Sequence, residues 1–432
     1  MEEILSIAKK AAQSAEVFQV FATRTPAHFE ANRLKQIQTR ETTGTALRLV
    51  KHGRIGFAQA SGLIKPGDLV AMALDTSQFG QEVNFEFPGR QSYPEVKIHD
   101  PNIELVSIDD MITLVEQVID AVRKHTPEIL CEASASKGTA TFKIANTKGN
   151  HATYSRTNFS ISVDGVLVRD GDMLFVGDVR SSCSPITDHS LISAEIIRQL
   201  DRAKRNASIT SRTLPVIFTP YGVASSLLAP LVSALNGKTV FDGASPLKDK
   251  LGARILDEKF SLVDDPTIPY GPGSLPFDDE GVPARKNALI DRGLVNQFYY
   301  DLCTAALAGT ISTGNGSRNG GMPSPSPHAL IIDGGEDGFD SMVKNIKEGI
   351  IIEQLMGAEQ GNILNGDFSG NVLLGYKIEN GEITGRIKDT MVSGNVYQLL
   401  KAVEALGNDS RWIAGYVRTP SIFCPAISVA TK

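Results

Sequence analysis

The sequence predicts an α+β protein, with an N-terminal α/β part followed by a larger C-terminal domain rich in antiparallel sheet. Three observations carry that expectation. Apolar residues recur at helical spacing over Ile108 to Lys124. Alternating strand-like runs are joined by short glycine turns, as at Lys148-Gly149-Asn150 and Asn380-Gly381. The 432 residues are 41% apolar and 21% charged, which is globular composition in a chain long enough for two or three domains. The predicted division is 1–100, 101–212 and 213–432.

In chain order, Ile4, Leu5, Ala8, Ala11, Ala12 and Ala15 fall on one helix face, and Val17 to Thr23 switches to a strand. Leu47 and Leu49 alternate with polar residues up to Lys51-His52-Gly53-Arg54, and Ile55 and Phe57 continue beyond it, which makes a hairpin. A short helix follows Lys65-Pro66-Gly67-Asp68, and the polar, Pro-containing stretch from Gly80 to Pro101 reads as a linker. Ser107 with Asp110 forms an N-terminal cap for the Ile108–Lys124 helix, Arg123 and Lys124 suit its C-terminal end, and Pro127 stops it. Strands are expected at Thr139–Thr147, Asn158–Val163, Val166–Val168 and Met173–Gly177, with turns at Asp164-Gly165 and Asp170-Gly171. A helix over His189–Lys204 closes this unit.

The last part opens with a strand at Leu214–Phe218 and a helix over Tyr221–Asn236, kinked by Pro230 and ended by Gly237. Hairpins are predicted around Asp291-Arg292-Gly293 and Asn380-Gly381. Asn395 caps a helix to about Leu406, and strands follow around Trp412 and Cys424.

Composition and motif content exclude several function classes. With 43 Lys and Arg against 49 Asp and Glu, the net charge is −6, which argues against direct binding of nucleic acid through phosphates. No apolar run approaches a membrane span. The Met1-Glu2-Glu3 start lacks the pattern of a secretory signal. Cys131, Cys183, Cys303 and Cys424 show no metal-finger or disulfide spacing, so the expected location is the cytoplasm. The seven histidines, at 28, 52, 99, 125, 151, 189 and 328, include no pair within five positions, and a helical zinc-protease site needs two imidazoles one turn apart. Nucleophile-elbow and phosphate-loop motifs are absent. Gly314-Asn315-Gly316 does not sit in a βαβ unit and is not a phosphate loop.

Two segments stand out. Phe277-Asp278-Asp279-Glu280-Gly281-Val282-Pro283 could ligate a hard cation through its carboxylates, but a solvated acidic turn is the favoured reading. Ser312 to Pro327, STGNGSRNGGMPSPSP, reads as a disordered connector or a ligand-facing lid, and its composition favours disorder. Arg318, its one charged side chain, is a candidate partner for a peptide or partner carboxylate.

Together with His52-Gly53-Arg54-Ile55-Gly56, Leu289 to Leu294, Ile378 to Ile383 and the late Cys424, these segments resemble the TldD/PmbA peptidase family, also called modulators of DNA gyrase. The similarity covers nearly the whole chain. In that family the TldD subunit holds zinc with a His-Glu-x-x-x-His helix and a C-terminal cysteine, and the PmbA/TldE subunit lacks the helix motif. Here the corresponding helix reads Ser225-Ser226-Leu227-Leu228-Ala229-Pro230-Leu231-Val232-Ser233-Ala234, without histidine or glutamate.

The resemblance therefore implies a PmbA/TldE-type subunit with no catalytic residue, metal or other cofactor of its own. Zinc is expected in a TldD-type partner, and cytosolic cleavage of unfolded or modified peptides, including leader removal from a microcin, is the implied activity. Asp278, Asp279, Glu280, Gly314, Asn315, Gly316, Arg318 and Cys424 are the candidate peptide- or partner-binding residues. A homo-oligomer is the alternative assembly. Two other functions stay open: modulation of gyrase or a toxin–antitoxin pair without proteolysis, and a stand-alone hydrolase with a metal at Asp278, Asp279 and Glu280.

Overall fold

The computed structural model describes residues 1–169, 171–358 and 361–431, and it has an α+β fold. The first half is built on one antiparallel sheet. α1 (Glu2–Ala11) leads into β1 (Ser14–Glu30), β2 (Arg33–Ile37), β3 (Arg40–Lys51) and β4 (Arg54–Ser61). α2 (Pro66–Ser77), α3 (Asn102–Leu105) and α4 (Ile108–His125) follow, and then β5 (Leu130–Asn146), β6 (His151–Arg169), β7 (Asp172–Ser182) and α5 (Ser190–Arg202). The strand order is β4-β3-β1-β5-β6-β7, with β2 paired to the end of β1. β1 joins β3 to β5, so residues 1–100 and 101–212 share a single sheet.

All four long helices of this half lie on one sheet face. The apolar stripe of α4 (Met111, Leu114, Val115, Val118, Ile119 and Val122) packs on Ala27, Phe29, Cys131, Ala133, Phe159, Ile161 and Val163. α1 and α2 pack on Val17, Leu47, Leu49 and Ala58. Period-2 alternation turns the intervening residues, among them Glu16, Phe18, Arg24 and Arg48, to the opposite face.

α4 starts as its sequence dictates. The Ser107 hydroxyl accepts from Asp110 N at 3.0 Å, and Asp110 Oδ2 accepts from Ser107 N at 2.8 Å. Replacing Ser107 by Ala should lower stability by about 1 kcal/mol in urea unfolding. An unchanged midpoint would show that packing of the stripe alone fixes the helix start.

The second half contains β8 (Arg212–Phe218), α6 (Pro220–Ser226), α7 (Leu228–Leu235), α8 (Gly237–Phe241), β9 (Leu262–Asp264), β10 (Asn287–Asp291) and β11 (Leu294–Val295). Then come α9 (Leu302–Leu307), β12 (Gly316–Ser317), β13 (Ser324–Pro325), β14 (Leu330–Ile332), α10 (Phe339–Lys344), β15 (Glu348–Met356), β16 (Asp367–Glu379) and β17 (Glu382–Arg386). The chain finishes with β18 (Thr390–Asn395), α11 (Val396–Leu400), β19 (Ala405–Leu406), β20 (Arg411–Ile413), β21 (Val417–Thr419) and β22 (Ile422–Thr431). One sheet runs β15-β8-β22-β18-β16-β17, and a further β15–β16 pairing closes five strands into a ring. A second runs β11-β10-β9-β14-β21-β20, and β12 with β13 forms a two-stranded sheet.

The structure corrects several local expectations. β6 runs unbroken through Asp164-Gly165, because Gly165 makes room for packing and does not turn the chain: a Cβ there would lie 2.7 Å from Ile129 Cδ1. The turn expected at Asp170-Gly171 falls partly on Asp170, which lies outside the described residues. The Tyr221–Asn236 helix is two helices meeting at Leu227, with Pro230 in the first turn of the second, where its missing N–H is tolerated. Gly237 opens α8 and does not cap α7, since a Cβ would strike the Tyr300 ring at 2.2 Å. The Asn395 helix stops at Leu400, and Ala405 and Leu406 pair with β22 instead.

Candidate functional site

The Gly80–Pro101 segment, expected to be a linker, packs over the sheet face that the helices leave free. Phe85 and Phe87 flank the Arg48 guanidinium at 5.6 and 5.2 Å, and Tyr93 packs at a 45° tilt against Phe277 with ring centroids 4.7 Å apart. Beneath them the first half of the chain is bound to the second by buried charge.

Glu16 on β1 and Arg48 on β3 are direct cross-strand neighbours. Arg48 donates Nη2 to Glu16 Oε1 at 2.9 Å and Nη1 to Glu280 Oε1 at 2.6 Å. The other Glu280 oxygen accepts Leu302 N at 2.7 Å, at the start of α9. Arg318 donates Nη2 to Glu16, and its guanidinium lies over Phe18 at 5.1 Å. Its Nη1 and Glu16 Oε2 have no hydrogen-bond partner among the described residues, so this pair is a single contact and not a bidentate fork. Glu16, Arg48 and Glu280 are at most 1% exposed.

The two segments singled out in the sequence clasp each other above this pair. Asp278 Oδ1 accepts the backbone N–H groups of Glu280 and Val282, both at 2.9 Å, and Oδ2 accepts that of Gly316 at 2.8 Å. Asp279 Oδ2 accepts Arg318 N at 2.8 Å. Gly316 must be glycine, because a Cβ would lie 2.4 Å from Glu280 Oε2. Asn315 is wholly buried. Its Nδ2 donates to Asp264 Oδ2 at 2.6 Å and its Oδ1 accepts from the Thr313 hydroxyl at 2.7 Å. His328 Nε2 lies 3.1 Å from the Gly314 carbonyl, so that nitrogen carries the proton. The reading of 277–283 as a solvated turn and of 312–327 as disordered is therefore overturned. Each loop supplies the partners that let the other's polar groups be buried.

Four carboxylates face two guanidiniums here. Burial raises the pKa values of Glu16, Asp278 and Asp279, and at Asp278 the charge of Glu280 adds to it. Burial opposes the charge of Arg48 too, but Glu16 and Glu280 outweigh it and raise its pKa. At Arg318 burial prevails and the pKa falls. Asp301 beside α9 is pushed up to about 6 by burial and by Glu280.

Seven of the eight candidate residues are thus brought together: Asp278, Asp279, Glu280, Gly314, Asn315, Gly316 and Arg318. Cys424 is not among them. It lies on β22 in the apolar core of the second half, and burial pushes its thiol up to about 12. Glu16, Arg48 and Asp264 were missed, as was the buried Asn287, whose Nδ2 donates to the Thr313 carbonyl at 3.0 Å. Arg48 reads in sequence as an outward polar position between Leu47 and Leu49, and nothing local marks it as buried.

Sequence reasoning also missed a second charged cluster. Arg198 on α5 donates to Glu195, and its Nη2 reaches Glu353 Oε1 at 2.9 Å. The Thr219 hydroxyl donates to Glu353 Oε2 at 2.9 Å, and Arg411 Nη1 donates to Asp178 Oδ1 at 2.7 Å. Of these groups Glu195, Arg198, Thr219 and Arg411 border a cavity of about 310 Å³, together with Arg202, Phe339, Asp409 and Ser421. Burial pushes the Glu195 carboxyl up, but the hydrogen bond and charge of Arg198, with Arg411, pull it down to about 2.

The helix pair α6–α7 follows β8 beside this cavity. Leu227, Leu228 and Leu231 are each at most 2% exposed in the apolar core, and the pair carries no imidazole, carboxylate or thiol. That donor set does not fit a zinc ion, which needs three nitrogen, sulfur or carboxylate ligands from the protein.

A helix-covered antiparallel sheet, clasped by buried charge onto a domain with a closed ring of strands, defines a class that solved structures represent. The crystal structure of TldE from Thermococcus kodakarensis matches with a TM-score of 0.90 at 23% identity, covering 100% of this chain and 99% of that one, which establishes the fold. Sequence supplies the family. Residues 15–75, 101–209 and 211–431 match the models for PmbA/TldA metallopeptidase domain 1, central domain and C-terminal domain. The chain belongs to the PmbA/TldD metallopeptidase family. Its relatives include an uncharacterized protein of Methanocaldococcus jannaschii, 25% identical over 430 residues and 98% of each chain. Another is the metalloprotease PmbA of Escherichia coli O157:H7, 27% identical over 288 residues, 66% of this chain and 61% of that one.

Proposed function

We propose that this chain is the non-catalytic PmbA/TldE-type subunit of a TldD/TldE zinc metallopeptidase complex that cleaves unfolded or modified peptides in the cytoplasm. The observation that carries the reading is the α6–α7 helix pair, which turns leucines into the core where a peptidase of this family would need metal ligands. The Asp278–Glu280 carboxylates support it as well. Their oxygens are engaged by backbone N–H groups and Arg48, which leaves little capacity to hold a cation for a stand-alone hydrolase. In this reading zinc and the hydrolytic water belong to the partner. The clasped loops of 277–283 and 312–328 act as a rigid wall toward peptide or partner.

Purified alone, the chain should hold substoichiometric zinc and leave an unfolded test peptide intact. Mixed with a TldD-type homologue, it should form a stable complex that cleaves the peptide. About one zinc per chain retained through dialysis, or cleavage by the chain alone, would overturn the proposal. A homo-oligomer that ignores the TldD-type chain would do the same.

A further inference from the structure

The sheet face that the clasp covers at one end stays open at the other, where its composition changes. Arg24 on β1 stands directly opposite Arg40 on β3, and on its other side opposite Gly138 on β5. Like charges at facing positions of an antiparallel pair repel. Here the repulsion has no internal relief, because neither guanidinium takes part in an ion pair among the described residues. Among the described residues Arg24 is held through Nε alone, by Ser136 Oγ at 2.8 Å, and neither terminal nitrogen has a hydrogen-bond partner there. Among the described residues the Arg40 guanidinium donates only a long 3.4 Å contact, to Gln38 Oε1. The two border a pocket of about 280 Å³ with His28, Gln36, Gln38 and Ser134 on its walls and no carboxylate. In a chain of net charge −6, an acid-free pocket with two unpaired guanidiniums is a local reversal of sign. The nearest acidic position along β1, Glu30, is occupied by Lys35 at 3.1 Å.

Neighbouring rows make the floor shallow and hydrogen-bonding. Pro26 faces Ser136, which faces Ser160, and His28 faces Ser134, which faces Ser162. Gly138 contributes no side chain beside Arg24. Short hydroxyls and a glycine leave room above the sheet, and the guanidinium forks offer paired N–H donors matched to a planar or tetrahedral oxyanion.

We propose that this pocket is an oxyanion-binding site, in which a carboxylate or phosphate is held between Arg24 and Arg40 with Ser134 and the Gln36 and Gln38 amides as further donors. The site is distinct from the clasp and does not depend on the subunit reading: it would bind its ligand in the chain alone.

Fluorescence anisotropy with a labelled oligoglutamate peptide, competed by inorganic phosphate, tests this on the full-length protein. Saturable binding is expected, weakening as salt is raised. Arg24→Gln and Arg40→Gln should each weaken it about tenfold, the loss of one charge-assisted contact. The Lys9→Gln/Lys10→Gln variant, on α1 across the sheet, should bind as the unaltered chain does. Arg40→Gln should not lower the melting temperature, since it removes a repulsion, and that separates a binding role from a structural one. Displacement of the peptide by phosphate would show one site taking both anions, and phosphate binding without peptide binding would name phosphate as the ligand. Absence of saturable binding of either anion, or binding unchanged in both arginine variants, would overturn the proposal.

Discussion

Arg48→Met should destabilise the protein by about 3–5 kcal/mol, because it leaves the buried carboxylates of Glu16 and Glu280 without their shared counter-charge. The replacement keeps most of the side-chain volume between Phe85 and Phe87, so lost packing is a small part of the effect. Arg169→Met is the matched control. Its pair with Glu128 is 56% and 63% exposed, and removing such a pair changes stability by less than about 1 kcal/mol. Adding Glu280→Gln to Arg48→Met should recover much of the loss, since Glu16 keeps Arg318 as a counter-charge and the penalty is that of the uncompensated Glu280. Urea unfolding measures all three. If Arg48→Met unfolds at the same midpoint as Arg169→Met, the clasp contributes nothing to holding the two halves together.

Acid titration of the second cluster should give the next largest effect. Glu195 has its folded pKa drawn down to about 2 from an ordinary value of 4.5. A lowered carboxyl binds its proton more weakly folded than unfolded, so its contribution is complete above about pH 4.5 and is lost as pH falls toward 2. A shift of that size corresponds to about 3 kcal/mol for this largely buried group. Glu195→Gln should therefore be less stable than the unaltered chain by up to about 3 kcal/mol at pH 6, and the gap should close between pH 4.5 and 2. Asp301 works with the opposite sign. With its pKa raised to about 6, its contribution is present below about pH 4 and is lost as pH rises to 6, so the unaltered protein's own pH profile blends both effects. The difference between variant and unaltered chain isolates Glu195. A gap that stays constant from pH 6 to 3 would show that the Arg198 and Arg411 contacts do not hold this carboxylate ionised.

What was legible in the sequence is what neighbours along the chain decide. Ser107 and Asp110 cap α4 from three residues apart, and the structure forms both hydrogen bonds. His52-Gly53, Arg292-Gly293 and Asn380-Gly381 turn three hairpins with both residues of each pair at positive φ, a conformation that a glycine in second place accommodates. The apolar stripe of α4 and the alternation of β3 follow from helix and strand periods, and with them the α+β class.

Only the tertiary structure decided the fate of the polar residues. Glu16 and Arg48 are 32 positions apart, and Arg48 and Glu280 are 232 apart. No local pattern tells a strand charge that faces water from one that meets its partner across two halves of a chain. The same holds for glycine. Gly165 and Gly237 read as turn and cap because glycine permits those conformations, yet they are glycine because Ile129 and Tyr300 fill the place of a side chain. Burial of a charged loop depends on hydrogen-bond partners from distant segments, and for 312–327 those partners are Asp264, Asp278, Asp279 and Glu16. The sequence by itself determined the elements and their turns through short-range sterics and capping, and long-range desolvation and charge pairing determined which polar residues became the clasp.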